Sequence, residues 1–179
     1  MRYSFMPLVG SAIIASLLVS HRIALASEDL AVAPLPGLPE SSSFLPATEE
    51  PQILKLNLTK RQVTIFRSGK AFKSYPVAVG KDGWGTPVGE HEIKTMYRNP
   101  PWKNPFKGGV IPGGDPANPL GKRWIGFWTD DKNWIGFHGT PNRGSVGQAA
   151  SHGCVRMYNE DVEELYELVK IGTPVIVHR

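Results

Sequence analysis

Apolar residues alternate with polar ones at Ile53, Leu54, Leu56 and Leu58, and again at Val63 and Ile65, with Thr59-Lys60-Arg61 between the two runs. A period of two is that of half-buried strands, and the polar triplet joins them as a hairpin. Further strands fit residues 72–79, closed by Gly80, and residues 91–96, which follow the punctuating Gly85-Thr86-Pro87-Val88-Gly89. Residues 123–128 and 134–137 read as two more around an Asp130-Asp131-Lys132-Asn133 turn, leaving His138 just past a strand end. Short strands broken by Gly and Pro turns point to a mainly β domain, a sandwich or a barrel.

One helix is expected, late in the chain. Asn159 is its cap, and Glu160, Asp161, Glu163 and Glu164 load its first turns, where the helix dipole favours negative charge. Val162, Leu165, Tyr166 and Val169 form its apolar stripe, Gly172 stops it, and residues 173–177 make a closing strand. Residues 99–121 hold six prolines and five glycines around Trp102 and Phe106, too many breakers for a regular element. Inside a compact domain such a stretch is a disordered insertion or an ordered functional loop, and its aromatics favour an ordered lid.

The first residues depart from this pattern. Arg2 precedes an apolar run over residues 5–19, and Ala24-Leu25-Ala26 offers small residues where a signal peptidase reads. That order is a secretory signal's. The run is shorter than the roughly 20 residues of a membrane helix, so cleavage after Ala26 is expected, leaving no stable membrane span. Residues 27–51, with five prolines, a Ser41-Ser42-Ser43 run and five acids, cannot bury enough apolar surface to fold and read as a linker. A single domain over 52–179 accounts for the rest.

Charge follows the same division. The formal net charge is +4, yet residues beyond 51 carry 18 basic and 11 acidic side chains, a net +7. That excess suits carboxylate-bearing ligands, and equally a solvated surface. Lys and Arg are scattered singly rather than clustered with aromatics, so no nucleic-acid face is expected.

Cys154 is the sole cysteine, so no internal disulfide is possible. It stands in Ser151-His152-Gly153-Cys154-Val155-Arg156, with His138-Gly139-Thr140 upstream. A thiol attacks carbonyl carbon as thiolate, and an imidazole within reach can take its proton, so Cys and His recur together in acyl-transfer sites. Two histidines could serve as base. His152 lies two residues before the thiol, on the same side of an extended segment, whereas His138 can approach from a neighbouring strand and is preferred. Gly153 leaves the backbone bare, letting the Gly153 and Cys154 amides face a substrate oxygen. Arg156 either pairs with a substrate carboxylate or forms a structural salt bridge. A zinc site of His138, His152 and Cys154 is conceivable, but no compact paired-ligand spacing supports it, and neither metal nor cofactor is expected.

Together these segments resemble the L,D-transpeptidase catalytic domain, the YkuD-type family. The matching pieces are Thr86-Pro87-Val88-Gly89, Asn118-Pro119-Leu120-Gly121 leading into Arg123-Trp124-Ile125-Gly126, His138-Gly139-Thr140, and Ser151-His152-Gly153-Cys154-Val155-Arg156, in the family's order over about residues 52–178. The resemblance implies a β-sandwich-like fold and action on peptidoglycan stem peptides, with release of D-alanine. It implies that Cys154 forms a thioester with the stem, that His138 is its base, and that the Gly153 and Cys154 amides hold the oxyanion. His152, Arg156, Ser151 and Gly139 would contact substrate. An amine then resolves the thioester to give cross-linking or exchange; water would make the protein a stem-trimming L,D-carboxypeptidase. A non-catalytic cell-wall binding module is the reading from another class. Inhibition by carbapenem-type β-lactams and export to the periplasm or cell wall are also implied.

Overall fold

The computed structural model describes residues 52–104 and 108–179. The signal expected over 1–26, the linker over 27–51 and Phe106 of the expected lid lie outside the described residues.

The first sheet grows from the alternating segments. β1 (Gln52–Asn57), β2 (Gln62–Arg67) and β3 (Lys70–Pro76) form an antiparallel meander, β13 (Pro174–His178) lies parallel to β1, and β5 (Gly89–Glu92) closes the edge. Leu54, Leu56, Val63, Ile65, Val175 and Val177 are buried while Lys55, Thr64 and Ile176 between them are partly exposed. One wet face and one dry face make a period of two.

In the second sheet the order is β12 (Val155–Met157), β10 (Trp134–Gly139), β9 (Arg123–Thr129) and β6 (Thr95–Arg98), with β12 parallel to β10. Its Ile125, Phe127, Phe137, Val155 and Met157 join the first sheet's dry face in one buried cluster. The layers form a β-sandwich-like domain. The helix α1 (Asn159–Leu168) packs on β9 and β10, burying Val162 and Leu165. Tyr158, rather than Asn159, takes the cap position; the Asn159 side chain instead accepts from the Lys122 N–H at 3.1 Å and donates to the Thr140 carbonyl at 3.4 Å.

Two expected strands prove to be divided. The segment over 72–79 leaves β3 at Pro76, which has no N–H for a ladder, and resumes as β4 (Val79–Gly80), paired with β11 (Ala149–Ser151). The segment over 91–96 supplies β5 to one sheet and β6 to the other, with buried Ile93 at the crossing. Residues 99–121, expected to hold no regular element, carry a small hairpin of β7 (Trp102–Lys103) and β8 (Val110–Ile111). Asn118 fastens this loop: its amide donates to the Pro100 and Pro112 carbonyls at 2.8 and 3.0 Å, and its oxygen accepts from the Leu120 N–H at 2.9 Å.

Candidate active site

Cys154 sits one residue before β12, and two hydroxyls shape the backbone around it. Ser151 accepts from the Gly153 N–H at 3.1 Å and donates to the Cys154 carbonyl. Thr86, from the loop after β4, accepts from the Gly80 N–H at 3.1 Å and donates to the Gly153 carbonyl at 2.8 Å. Both side chains are buried. Gly153 has φ of 111°, and a Cβ there would stand 2.8 Å from Ile135 Cδ1, so glycine alone fits without strain.

The thiol rests on the backbone of β10, where the register against β9 slips between Ile135 and Gly136. Such irregularities re-aim backbone groups. The sulfur donates to the Trp134 carbonyl at 3.6 Å and accepts from the Gly136 amide. Burial pushes the thiol above its ordinary value, while the Gly136 amide and the Arg156 guanidinium pull it part of the way back.

His138 lies on β10 in register with Arg156 of β12 and with Trp124 of β9. These three share the face opposite Phe137, Ile125 and Val155, as alternation requires. The ring is 4% exposed, stacks against Trp124 at 6.1 Å between centroids, and places Nδ1 2.6 Å from the Gly139 carbonyl. A carbonyl only accepts, which assigns the proton of the neutral ring to Nδ1 and leaves Nε2 basic. Burial pushes the imidazole down to about 4, reinforced by the Arg156 charge and opposed by the Gly139 and Pro119 carbonyls. Thiol and imidazole are therefore both neutral near pH 7.

The family model of the L,D-transpeptidase catalytic domain matches residues 51–177. The chain belongs to this family. It is 36% identical to YqjB of Bacillus subtilis, named an L,D-transpeptidase, over 74% of this chain and 73% of that one. With YkuD of the same organism, likewise named, identity is 34% over 81% of this chain and 73% of the relative. The fold is also that of L,D-transpeptidase 3 from Mycobacterium tuberculosis, solved with a faropenem-derived adduct, at a TM-score of 0.59 and 19% identity; the match covers 73% of this chain and 61% of the mycobacterial chain. The chain thus spans about three fifths of that solved protein's length.

Within this L,D-transpeptidase domain the residues singled out from sequence take distinct places. Cys154 immediately precedes β12, Arg156 lies on that strand opposite His138 of β10, and the Arg156 charge acts on both the thiol and the imidazole. His152 is exposed and meets Trp84 edge-on, ring centroids 4.8 Å apart. Ser151, expected to contact substrate, is 1% exposed and committed to its own loop. Gly139, expected there too, is buried; its carbonyl serves His138, and a Cβ on it would stand 2.0 Å from Asn159 Oδ1. The Gly153 N–H, expected beside the Cys154 amide as an oxyanion donor, is taken by Ser151. Arg156 makes no ion pair with a carboxylate among the described residues.

Sequence reasoning gave no role to Thr86 or Asn118, although both stand in the segments that carry the resemblance. A buried hydroxyl or amide beside glycine and proline turns is the available signal, but its partners are not readable from neighbours in the chain. No helix among the described residues is long and apolar enough to cross a membrane.

Proposed function

We propose that this protein is a peptidoglycan L,D-transpeptidase acting through a Cys154 thioester. His138 Nε2 takes the thiol proton as sulfur attacks the carbonyl carbon of the stem's third residue. The C–N bond to the terminal D-alanine then breaks, and the proton passes to the departing amine. An amine of a second stem attacks the thioester, forming a new amide and returning the thiol. With both groups neutral at rest, the proton moves during attack, in the manner of a general base. The Cys154 amide faces the developing oxyanion. Arg156, charged and without a carboxylate among the described residues, receives a stem carboxylate. Export by residues 1–26 and a linker over 27–51 would deliver the domain to the cell wall.

The observation that carries this reading is the placement of Cys154 one residue before the strand that pairs with His138, whose ring is held through Nδ1 by the Gly139 carbonyl. The faropenem-derived adduct of L,D-transpeptidase 3, a penem product, and the imipenem complex of the L,D-transpeptidase LdtMt1 support reaction with β-lactams, carbapenems among them. Incubation with disaccharide tetrapeptide, followed by mass spectrometry, tests the transfer. Cross-linked dimer with free D-alanine is the expected outcome; tripeptide alone would assign the same site to stem trimming, and no turnover would favour a binding module.

A further inference from the structure

We propose that Thr86 is a positioning residue: its hydroxyl sets the plane of the Gly153–Cys154 peptide and so aims the Cys154 N–H at the oxygen of the acyl group under attack. The inference rests on the thioester reading above and gives Thr86 a specific part in it.

The roles of the Thr86 hydroxyl are unambiguous. Gly80 presents an N–H, which only donates, and Gly153 presents a carbonyl, which only accepts, so the single hydroxyl proton goes to Gly153. Thr86 is 5% exposed, so both bonds are made within the protein rather than at an open surface. The loop that carries it cannot drift. A Cβ on Gly80 would lie 2.0 Å from the Trp84 carbonyl oxygen and 2.8 Å from the Thr86 nitrogen, so the chain is already in close contact with itself. The Lys81 N–H also donates to the Ser151 carbonyl at 3.0 Å, tying the same loop to the strand that leads into the nucleophile.

The consequence for Cys154 follows from peptide geometry. No described peptide bond is cis, and in a trans peptide the C=O and the following N–H point in opposite directions within one rigid plane. Holding the Gly153 carbonyl against Thr86 therefore holds the Cys154 N–H away from Thr86. Ser151 has already removed the Gly153 N–H from service and fixed the Cys154 carbonyl. The Cys154 amide is thus the donor that this turn offers an oxyanion, and Thr86, 67 residues before Gly153 in sequence, governs its aim. With the hydroxyl removed, Gly153, already at positive φ, is free to rotate the peptide.

Attack on a carbonyl needs the oxyanion donor, whereas alkylation of the same sulfur by iodoacetamide needs only the thiolate. We would compare wild type, Thr86→Val and Thr86→Ser in carbapenem acylation and in iodoacetamide alkylation at one pH, after checking by circular dichroism that each is folded. Thr86→Val is expected to slow acylation about 100-fold, the size of losing one oxyanion donor, while alkylation stays within about threefold, and Thr86→Ser restores acylation. Equal loss of both reactions, or no loss of either, would overturn the role of Thr86. Were Thr86→Val unable to fold, Thr86→Ala carries the same comparison. Wild type that alkylates but never acylates would sink the thioester reading instead, a result distinct from failure of the Thr86 inference alone.

Discussion

His138 and Arg156 are direct register partners in the parallel β10–β12 pair, so imidazole and guanidinium stand on one face of the sheet. The cation disfavours a charged His138 and favours a charged Cys154. Arg156→Gln should therefore move the alkylation profile of Cys154 to higher pH. If the guanidinium also receives a stem carboxylate, KM for tetrapeptide should rise roughly 10-fold or more, the worth of a charge-assisted hydrogen bond, with kcat affected less. An unchanged KM would remove Arg156 from substrate binding.

Burying a neutral imidazole makes stability depend on pH. The unfolded chain binds a proton at His138 near its ordinary value of 6.5, the folded one only near 4, so between these values the unfolded state holds more protons. Stability is complete above about pH 6.5, declines as pH falls toward 4, and loses no more from this group below that. Between pH 7 and pH 5 the loss should be about 2 kcal/mol. Urea denaturation at the two pH values checks it, and His138→Gln should flatten most of the difference. Glu160 and Asp130, held below ordinary carboxylate values by hydrogen bonds, lose their contributions at lower pH.

Gly153→Ala carries two separable penalties. The positive φ of 111° lies beyond the left-handed helical region and costs about 1–3 kcal/mol for a residue with a side chain, and the new methyl meets Ile135 Cδ1, an overpacking worth about 1–3 kcal/mol. Ile135→Val deletes that carbon. In a double-mutant cycle by denaturation, Gly153→Ala should cost less in the Ile135→Val background, and strict additivity would disprove the contact.

Asn118→Ala removes three hydrogen bonds from the base of the 99–121 loop. At about 1 kcal/mol each, the expected destabilisation is about 2–3 kcal/mol. Because Pro119 touches the His138 ring, acylation should slow as well. A variant with wild-type hydrogen exchange across residues 99–121 would show that Asn118 does not fasten the loop.

Much of the domain was legible in the sequence wherever one physical rule dominates. Leu54, Leu56, Val63 and Ile65 disclose their strands because one face of their sheet is dry. Cys154 and His138 disclose themselves because their chemistry is rare and their surroundings glycine-rich. What stayed hidden depends on distant partners. Residues 91–96 look like one strand, yet Ile93 crosses between layers, which alternation cannot mark. The Gly153 amide looked available because nothing in Ser151-His152-Gly153 says that the serine hydroxyl turns back on its own loop. Thr86 drew no role because its acceptor lies 67 residues away.

Every step in this mechanism passes through one sulfur, so the deciding measurement is the intact mass of the protein after rapid quenching with disaccharide tetrapeptide, followed by peptide mapping. The expected result is an adduct of the stem minus D-alanine on the peptide bearing Cys154, labile to hydroxylamine, missing in Cys154→Ala and accumulating about 10² to 10⁴ times more slowly in His138→Ala. Folded wild-type protein that releases D-alanine without any adduct at Cys154, or a Cys154→Ala variant that still turns over, would contradict it.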